Sequence, residues 1–208
     1  MFLWFIRCPL MLDFKKIIKE ETESCQTTTF LSEDGKSTYR YVILPFESRM
    51  TLEFQEAIIQ GMISMLMQEL KAANTILLPE AKAFLLSPIA RETRKDLILI
   101  RKRDYRLSDQ IVIQQEKAYA GKSLMYCVGL EKGDSPLILD DIVSSGGTEI
   151  AVIRSLKALG FEIAGVGTVY ERGNGIETVK KETGYSVKGL VRLELINDKP
   201  HVLRFYTS

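Results

Sequence analysis

Residues 136–148 read PLILDDIVSSGGT, and this stretch decides the fold prediction. The apolar run that precedes Asp140 and Asp141 is typical of a buried strand. A turn with two serines and two glycines follows, and an amphipathic segment begins at Thr148. A buried strand, a tight turn and a helix in this order form part of a βαβ unit. We therefore expect both carboxylates at the carboxyl end of a strand in a mainly parallel sheet.

Strand-like and helix-like segments alternate along the rest of the chain. Strands are predicted at 75–79, 97–102, 123–129, 137–141 and 162–170. Helices are predicted at 51–74, 80–93, 148–160 and 175–184, with Thr51 as an N-cap and Gly160 as a terminator. A terminal hairpin is predicted at 187–206. This order predicts an α/β fold with a mainly parallel sheet flanked by helices.

No repeat and no Pro/Gly-rich linker divides the chain, so a single domain spanning 1–208 is expected. Its parts are an N-terminal arm or small hood at 1–50, a core with the ligand site at 75–172, and a C-terminal helix and hairpin at 173–208.

Composition excludes several classes of function. The chain has 28 Lys plus Arg and 27 Asp plus Glu, so its charge favours neither nucleic acid nor an anionic membrane as a partner. Its three cysteines form no CxxC pair, and His201 is its one histidine. A zinc site and a Ser-His or Cys-His catalytic pair are therefore disfavoured. Unpaired thiols favour a reducing cytoplasm.

The N-terminal run MFLWFIRCPLML (1–12) is apolar but contains Arg7 and Pro9. It is shorter than the ~20 residues of a membrane-spanning helix. It also lacks the basic start and the small-residue cleavage site of a signal peptide. We expect an arm packed on the body or on a partner subunit, and Met11 is an alternative translation start.

The stretch 136–148 offers two kinds of chemistry within a few residues. Paired carboxylates accept hydrogen bonds from neighbouring hydroxyls or hold a divalent cation. A glycine turn that opens a helix presents free N–H groups to an anion. A sugar phosphate satisfies both. Two other phosphate-binding motifs are excluded. AGKS (120–123) ends like a P-loop, but Glu116 stands at the position where that motif requires its first glycine. The GxG of 165–167 lies within a predicted strand and does not begin a helix.

Three segments resemble type I phosphoribosyltransferases. LILDDIVSSGGTE (137–149) is similar to the motif with which that family binds phosphoribosyl pyrophosphate. LLPEAKAFLLSPIA (77–90) and LILIRKR (97–103) resemble the pyrophosphate loop and the following strand of the adenine branch. The resemblance covers roughly residues 75–172 and implies the α/β fold above, with a small hood.

The resemblance also implies roles for individual residues. Asp140 and Asp141 would hold the ribose hydroxyls, directly or through Mg²⁺, and Ile142 would form a wall of the base pocket. The residues implied for the 5′-phosphate are Ser144, Ser145, Gly146, Gly147 and Thr148. Those implied for pyrophosphate are Ala81, Lys82, Arg101 and Lys102, with a cis peptide at Glu80–Ala81.

Two departures from the family pattern concern the general acid and the base. The adenine branch places a glutamate before the tyrosine of its mobile loop, whereas here Ala118 precedes Tyr119, so Glu116 is the candidate general acid. Oxopurine relatives place an aspartate where this chain has Ser144. The segment 103–121 is polar and weakly periodic, so we expect a mobile loop that excludes water.

The predicted function is that of a purine phosphoribosyltransferase, with adenine as the expected base and AMP and pyrophosphate as products. Two alternatives stay open at this point. One is an enzyme for another base, such as hypoxanthine, guanine or xanthine. The other is a non-catalytic regulator that binds phosphoribosyl pyrophosphate, although residues 1–50 show no helix-turn-helix. We expect small-molecule substrates, a homodimer, and no nucleic-acid or membrane partner.

Overall fold

The computed structural model describes residues 13–31, 35–117 and 121–206. The helices in these ranges are α1 (Phe14–Glu23), α2 (Leu52–Met65), α3 (Met67–Ala72), α4 (Ala83–Thr93), α5 (Gly147–Ala158) and α6 (Gly175–Thr183). The strands are β1 (Thr27–Leu31), β2 (Thr38–Val42), β3 (Thr75–Pro79), β4 (Asp96–Arg101), β5 (Ile111–Lys117), β6 (Gly121–Cys127), β7 (Pro136–Val143), β8 (Gly165–Glu171), β9 (Val187–Ile196) and β10 (Lys199–Phe205). Short 3₁₀ turns span Pro45–Glu47 and Glu80–Lys82.

Eight strands form one sheet in the order β10-β9-β8-β7-β3-β4-β6-β5. The five strands from β9 to β4 pair in parallel, and antiparallel strands extend the sheet at both edges. This arrangement confirms the predicted α/β fold. The remaining strands, β1 and β2, form a separate antiparallel sheet, which we call the hood hairpin.

Both faces of the parallel sheet are covered, which explains its continuous apolar strands. Consecutive residues of β3 enter different cores: Ile76 lies in the cluster with α1, α2 and α4, and Leu77 in the cluster with α5 and α6. In β7, Leu137 and Ile138 divide in the same way. The sheet therefore has no solvated face along its centre.

The predicted helix over 51–74 is interrupted at Leu66, so that prediction is wrong in this detail. Thr51 is the N-cap as expected, and its hydroxyl accepts a hydrogen bond from the Phe54 N–H at 3.1 Å. The break buries the Leu66 side chain completely. A Cβ on Gly167 would lie only 2.7 Å from Leu66 Cδ1, so the close approach of this leucine to β8 requires glycine there.

The structure places a strand within the predicted mobile loop over 103–121, whereas the mobility of the segment and its exclusion of water stay predictions. Residues 111–117 form β5, which pairs antiparallel with β6 in register from Ile111↔Cys127 to Lys117↔Gly121. Burial alternates along β5, because Ile111 and Ile113 are buried whereas Val112 and Gln114 are exposed. This alternation covers too few residues to be recognised in the sequence. Residues 103–110 contain no helix or strand.

Predictions for residues 1–12, 118–120 and 207–208 lie outside the described residues. These include the apolar N-terminal arm, the alternative start at Met11, and the pair Ala118 and Tyr119.

Candidate active site at the carboxyl ends of the parallel strands

The path of the chain through the sheet locates a crevice. From β3 the chain moves outward to β4, and it later returns to β7 on the other side of β3 and continues to β8 and β9. The strand order therefore reverses direction between β3 and β7. In open α/β sheets, ligands bind beyond the carboxyl ends of the strands at such a point. The turn after β3 and the turn after β7 both lie at this edge of the sheet.

Three carboxyl groups are buried beside the end of β7. Asp140, Asp141 and Glu149 are 9%, 5% and 3% exposed. Burial, together with the negative charge of Glu149, raises the pKa of Asp140 well above its usual range. Burial also raises the pKa of Glu149. A cation or hydroxyl donors beside these carboxyl groups would favour their ionised form.

The turn from Ser144 to Thr148 opens α5. Gly146 is the N-cap with φ +79°, and its carbonyl accepts the first helical hydrogen bond, from the Ile150 N–H at 2.9 Å. A Cβ at Gly146 would lie 2.6 Å from Val179 Cγ2 and 2.7 Å from the Gly175 carbonyl oxygen. Only glycine satisfies both the conformation and the space. Ser144 and Ser145 are exposed, so the turn presents two hydroxyls to solvent at the beginning of α5.

The predicted pyrophosphate residues are brought together by parallel pairing of β3 and β4. Ala81 and Lys82 lie in the 3₁₀ turn after β3, and Arg101 and Lys102 follow at the end of β4. Arg101 Nη1 lies 3.2 Å from Glu80 Oε1 and 3.0 Å from the Tyr105 hydroxyl.

The Glu80–Ala81 peptide is trans, so the predicted cis bond is wrong for this structure. The trans form is the lower-energy state of a bond that does not precede proline.

The hood hairpin packs on the same side of the molecule. Tyr41 of β2 donates a hydrogen bond to the Glu47 carboxylate. Burial, this hydrogen bond and, to a smaller degree, the negative charge of Asp141 raise the pKa of Tyr41. Ile142 is half-buried in β7 and packs against the core cluster that contains Phe46. The predicted base-pocket residue therefore lies on the face of the sheet that α1, α2 and α4 cover.

Contacts from the C-terminal half hold the hood hairpin in place. The Arg40 guanidinium lies 2.6 and 2.9 Å from the two carboxylate oxygens of Asp198, in the turn between β9 and β10. The Thr27 hydroxyl donates to the Asp198 carbonyl oxygen at 2.9 Å. Arg172, in the loop after β8, donates to the Arg40 carbonyl oxygen at 3.0 Å. These contacts connect residues more than 130 positions apart in sequence.

The candidate general acid Glu116 lies near the end of β5 and pairs with Lys122 of β6. The structure therefore places it on a strand of the β5–β6 hairpin, and its catalytic role stays a prediction. The terminal aromatic residues Phe205 and Tyr206 are partly buried and pack against the core cluster that contains α1, α2 and α4.

Sequence reasoning missed several residues of this region. Glu149 was present in the recognised motif, but its burial against Asp140 depends on how α5 meets β7. Tyr105 and Glu80 hold the Arg101 side chain, and no spacing rule predicts that contact. The pair Arg40 and Asp198 carries no local signal, because the two residues meet only in the folded chain.

Comparison with known proteins identifies the family of this chain. A family model described as a phosphoribosyl transferase domain matches residues 56–194. The hypoxanthine/guanine phosphoribosyltransferase of Methanotorris igneus is 32% identical over 190 residues, which is 90% of this chain and 100% of that protein.

Solved structures confirm the fold. The adenine phosphoribosyltransferase of Leishmania donovani superposes with a TM-score of 0.69 and 18% identity, covering 86% of this chain and 80% of that chain. The enzyme of the same name from Rhodothermus marinus gives a TM-score of 0.67 and 18% identity, covering 86% of this chain and 98% of that chain.

Within the described ranges, every helix is too short or too polar to cross a membrane. The family-model match covers more than half of the chain and includes the strand and turn of 136–148. This chain therefore belongs to the phosphoribosyltransferase family, has the type I fold and is a transferase.

Proposed function

We propose that the protein transfers the phosphoribosyl group of phosphoribosyl pyrophosphate to hypoxanthine or guanine. The observation that carries this proposal is the 32% identity to a relative of that name, which the alignment covers from end to end. The relative from Methanococcus vannielii has the same name, at 31% identity over 195 residues. The expected preference for adenine is not confirmed, because the adenine-specific neighbours are similar at a level of identity that supports the fold alone.

In the proposed reaction, the N9 nitrogen of the base forms a bond to C1 of the ribose, and pyrophosphate leaves with the electrons of the broken C–O bond. The proton of the base is transferred to a general base or to solvent. Positive charge develops on the sugar, and the carboxylates of Asp140 and Asp141 stabilise it while they orient the ribose hydroxyls. Glu116 stays the candidate for this step: its carboxylate would accept the proton in this direction, and its acid form would donate the proton in the reverse direction, as a general acid.

We assign the phosphate groups of the substrate to two turns at the carboxyl ends of the strands. The Ser144–Thr148 turn binds the 5′-phosphate through hydroxyls and helix N–H groups. The Glu80–Lys82 turn, Arg101 and Lys102 bind the departing pyrophosphate. Before substrate binds, Glu80 neutralises Arg101 at 3.2 Å, so pyrophosphate has to replace that ion pair.

We further propose that Mg²⁺ binds with the substrate. Among the described residues, no three acidic, histidine or cysteine side chains are grouped to hold a metal by themselves. Mg²⁺ is commonly held by one or two carboxylates together with substrate phosphates, and the adjacent Asp140 and Asp141 suit that mode. When bound, the ion would neutralise negative charge on the pyrophosphate leaving group.

A competition assay tests the choice of base. Hypoxanthine, guanine and adenine are mixed in equal concentration with phosphoribosyl pyrophosphate and Mg²⁺, and the nucleotides formed are separated by chromatography. The ratio of initial rates gives the ratio of kcat/KM directly. We expect IMP and GMP to exceed AMP by about 10- to 100-fold, because adenine has an amino group where the oxopurines have a carbonyl. Dominant AMP formation would restore the adenine hypothesis.

We also propose a homodimer and a cytoplasmic location. Leu97, Val112 and Leu124 on the β4–β6–β5 side of the sheet are between 38% and 51% exposed, which suits a covered surface. Sedimentation of the purified protein tests the dimer.

The thiols of Cys25 and Cys127 are both free, as expected in a reducing compartment, and cell fractionation tests the location.

A further inference from the structure

The β5–β6 hairpin contacts the turn that opens α5. Gln115 of β5 is half-buried, and its Nε2 donates a hydrogen bond to the Thr148 hydroxyl at 3.2 Å. The same Nε2 lies 3.3 Å from the position that a Cβ on Gly147 would occupy. The carboxamide therefore lies against two consecutive residues of the Ser144–Thr148 turn.

The strand alternation explains why the side chain points there. Ile111 and Ile113 are buried in the core cluster that α5 helps to form, and Gln115 continues the same face of β5. Gln114 belongs to the opposite face and is exposed. The inward face of β5 thus changes from apolar residues to a polar donor where the strand reaches the turn.

A carboxamide N–H₂ carries two donor hydrogens, whereas a phosphate dianion only accepts hydrogen bonds. The contact with Thr148 engages one of these hydrogens. A glutamine brings donors without adding charge, so it lies beside helix N–H groups without electrostatic repulsion. A ligand with acceptor oxygens at the turn is the chemical partner that fits this arrangement.

We propose that Gln115 is a further binding residue for the 5′-phosphate, and that it connects the β5–β6 hairpin to occupancy of the turn. The inference rests on the proposed function, which assigns the turn to that phosphate. In the bound state, Nε2 donates to a phosphate oxygen and stays beside Thr148. Phosphate binding then favours one position of the hairpin that also carries Glu116.

Calorimetry with ribose 5-phosphate tests the assignment. The variants are Gln115→Ala and Gln115→Met, where the methionine keeps most of the length and removes both donors. Gln114→Ala is the matched control on the opposite face. We expect both Gln115 variants to bind ribose 5-phosphate about 10- to 100-fold more weakly than the wild type does. The affinity of Gln114→Ala for ribose 5-phosphate should be unchanged. Pyrophosphate, whose predicted residues lie on other turns, should bind all four proteins equally.

The outcomes separate the two claims. If the wild type does not bind ribose 5-phosphate, the proposed function fails and this inference fails with it. If the wild type binds it and the Gln115 variants bind it equally well, the inference is overturned and the proposed function stands. If affinity for ribose 5-phosphate and for pyrophosphate falls together, Gln115 has a general structural role and the assignment is likewise overturned. Melting temperatures identify any variant that fails to fold. If one of the two Gln115 variants fails to fold, the affinity of the other one tests the inference.

Discussion

At the scale of single residues, the two adjacent glycines of the Ser144–Thr148 turn differ in what a side chain would contact. Gly146 has a left-handed backbone, and a Cβ there would meet Val179 and Gly175 at 2.6 and 2.7 Å. A Cβ at Gly147 would meet the ends of two polar side chains, Gln115 Nε2 at 3.3 Å and Ser145 Oγ at 3.7 Å. Gly146 is therefore required by the fold, in addition to the role that the family resemblance implies for it at the 5′-phosphate.

The pair of alanine variants separates these roles. We expect Gly146→Ala to lower the free energy of unfolding by at least about 1–2 kcal/mol, from the left-handed conformation alone. We expect Gly147→Ala to unfold within about 0.5 kcal/mol of the wild type and to bind ribose 5-phosphate more weakly. Urea unfolding and calorimetry measure the two effects, and equal stability of both variants would contradict the distinction.

The buried carboxyl groups predict a pH dependence of stability. A carboxyl group whose pKa is raised in the folded state binds its proton more tightly there than in the unfolded chain. Stability therefore falls as the pH rises from the usual carboxyl range, about 4, towards the raised pKa values of Asp140 and Glu149. At pH values above the raised pKa values, both groups are ionised in the folded protein and the loss of stability is complete.

The variant Glu149→Gln removes one of these groups. In the absence of ligands, we expect the free energy of unfolding of Glu149→Gln to fall less than that of the wild type as the pH rises from 4.5 to 7.5. The control is Glu56→Gln, which changes an exposed carboxylate on α2. Urea unfolding at both pH values gives the comparison, and identical pH slopes in the wild type and Glu149→Gln would refute the argument.

At the scale of elements, α1 is docked by one buried polar contact within an apolar interface. The Thr22 hydroxyl and the Tyr170 hydroxyl are 2.6 Å apart, and both side chains are fully buried. Ile18 of the same helix is also fully buried. Thr22→Val keeps the shape but leaves the tyrosine hydroxyl without its partner, which costs about 1–3 kcal/mol.

A double-mutant cycle checks this contact. The double variant Thr22→Val with Tyr170→Phe should be less destabilised than the sum of the single variants, because it leaves no unpaired hydroxyl. Thr22→Ser is the control that keeps the hydrogen bond. Strictly additive effects in urea unfolding would mean that the two hydroxyls do not interact.

Sequence patterns predicted the central parallel strands and the terminal hairpin better than the edge strand β5. The strands β3, β4, β7 and β8 were identified because continuous apolar runs signal burial on both faces. β5 was missed because its alternation extends only from Ile111 to Gln114 before polar residues follow. The break at Leu66 was also missed, since it depends on the space that Gly167 leaves in β8.

At the scale of the whole molecule, the strand order determines where chemistry occurs. The reversal between β3 and β7 brings the Glu80–Lys82 turn and the Ser144–Thr148 turn to one crevice. Local sequence predicted each turn separately, and the family resemblance predicted that they share a substrate. The contact of the hood hairpin with Asp198 could not be predicted, because Arg40 and Asp198 are 158 positions apart.

The central claim is that the acidic pair at the end of β7 belongs to a catalytic phosphoribosyltransferase site. Its most direct test is pyrophosphate release from phosphoribosyl pyrophosphate with hypoxanthine or guanine and Mg²⁺. The wild type is compared with the double variant Asp140→Asn, Asp141→Asn. Asp96→Asn, an exposed change at the amino end of β4, is the control.

We expect rapid pyrophosphate release by the wild type and by Asp96→Asn. In the double variant we expect kcat/KM to fall by about 100-fold or more, because two charged hydrogen-bonding groups are lost. The account would be contradicted by unchanged release in the folded double variant, or by a wild type that releases no pyrophosphate with either base.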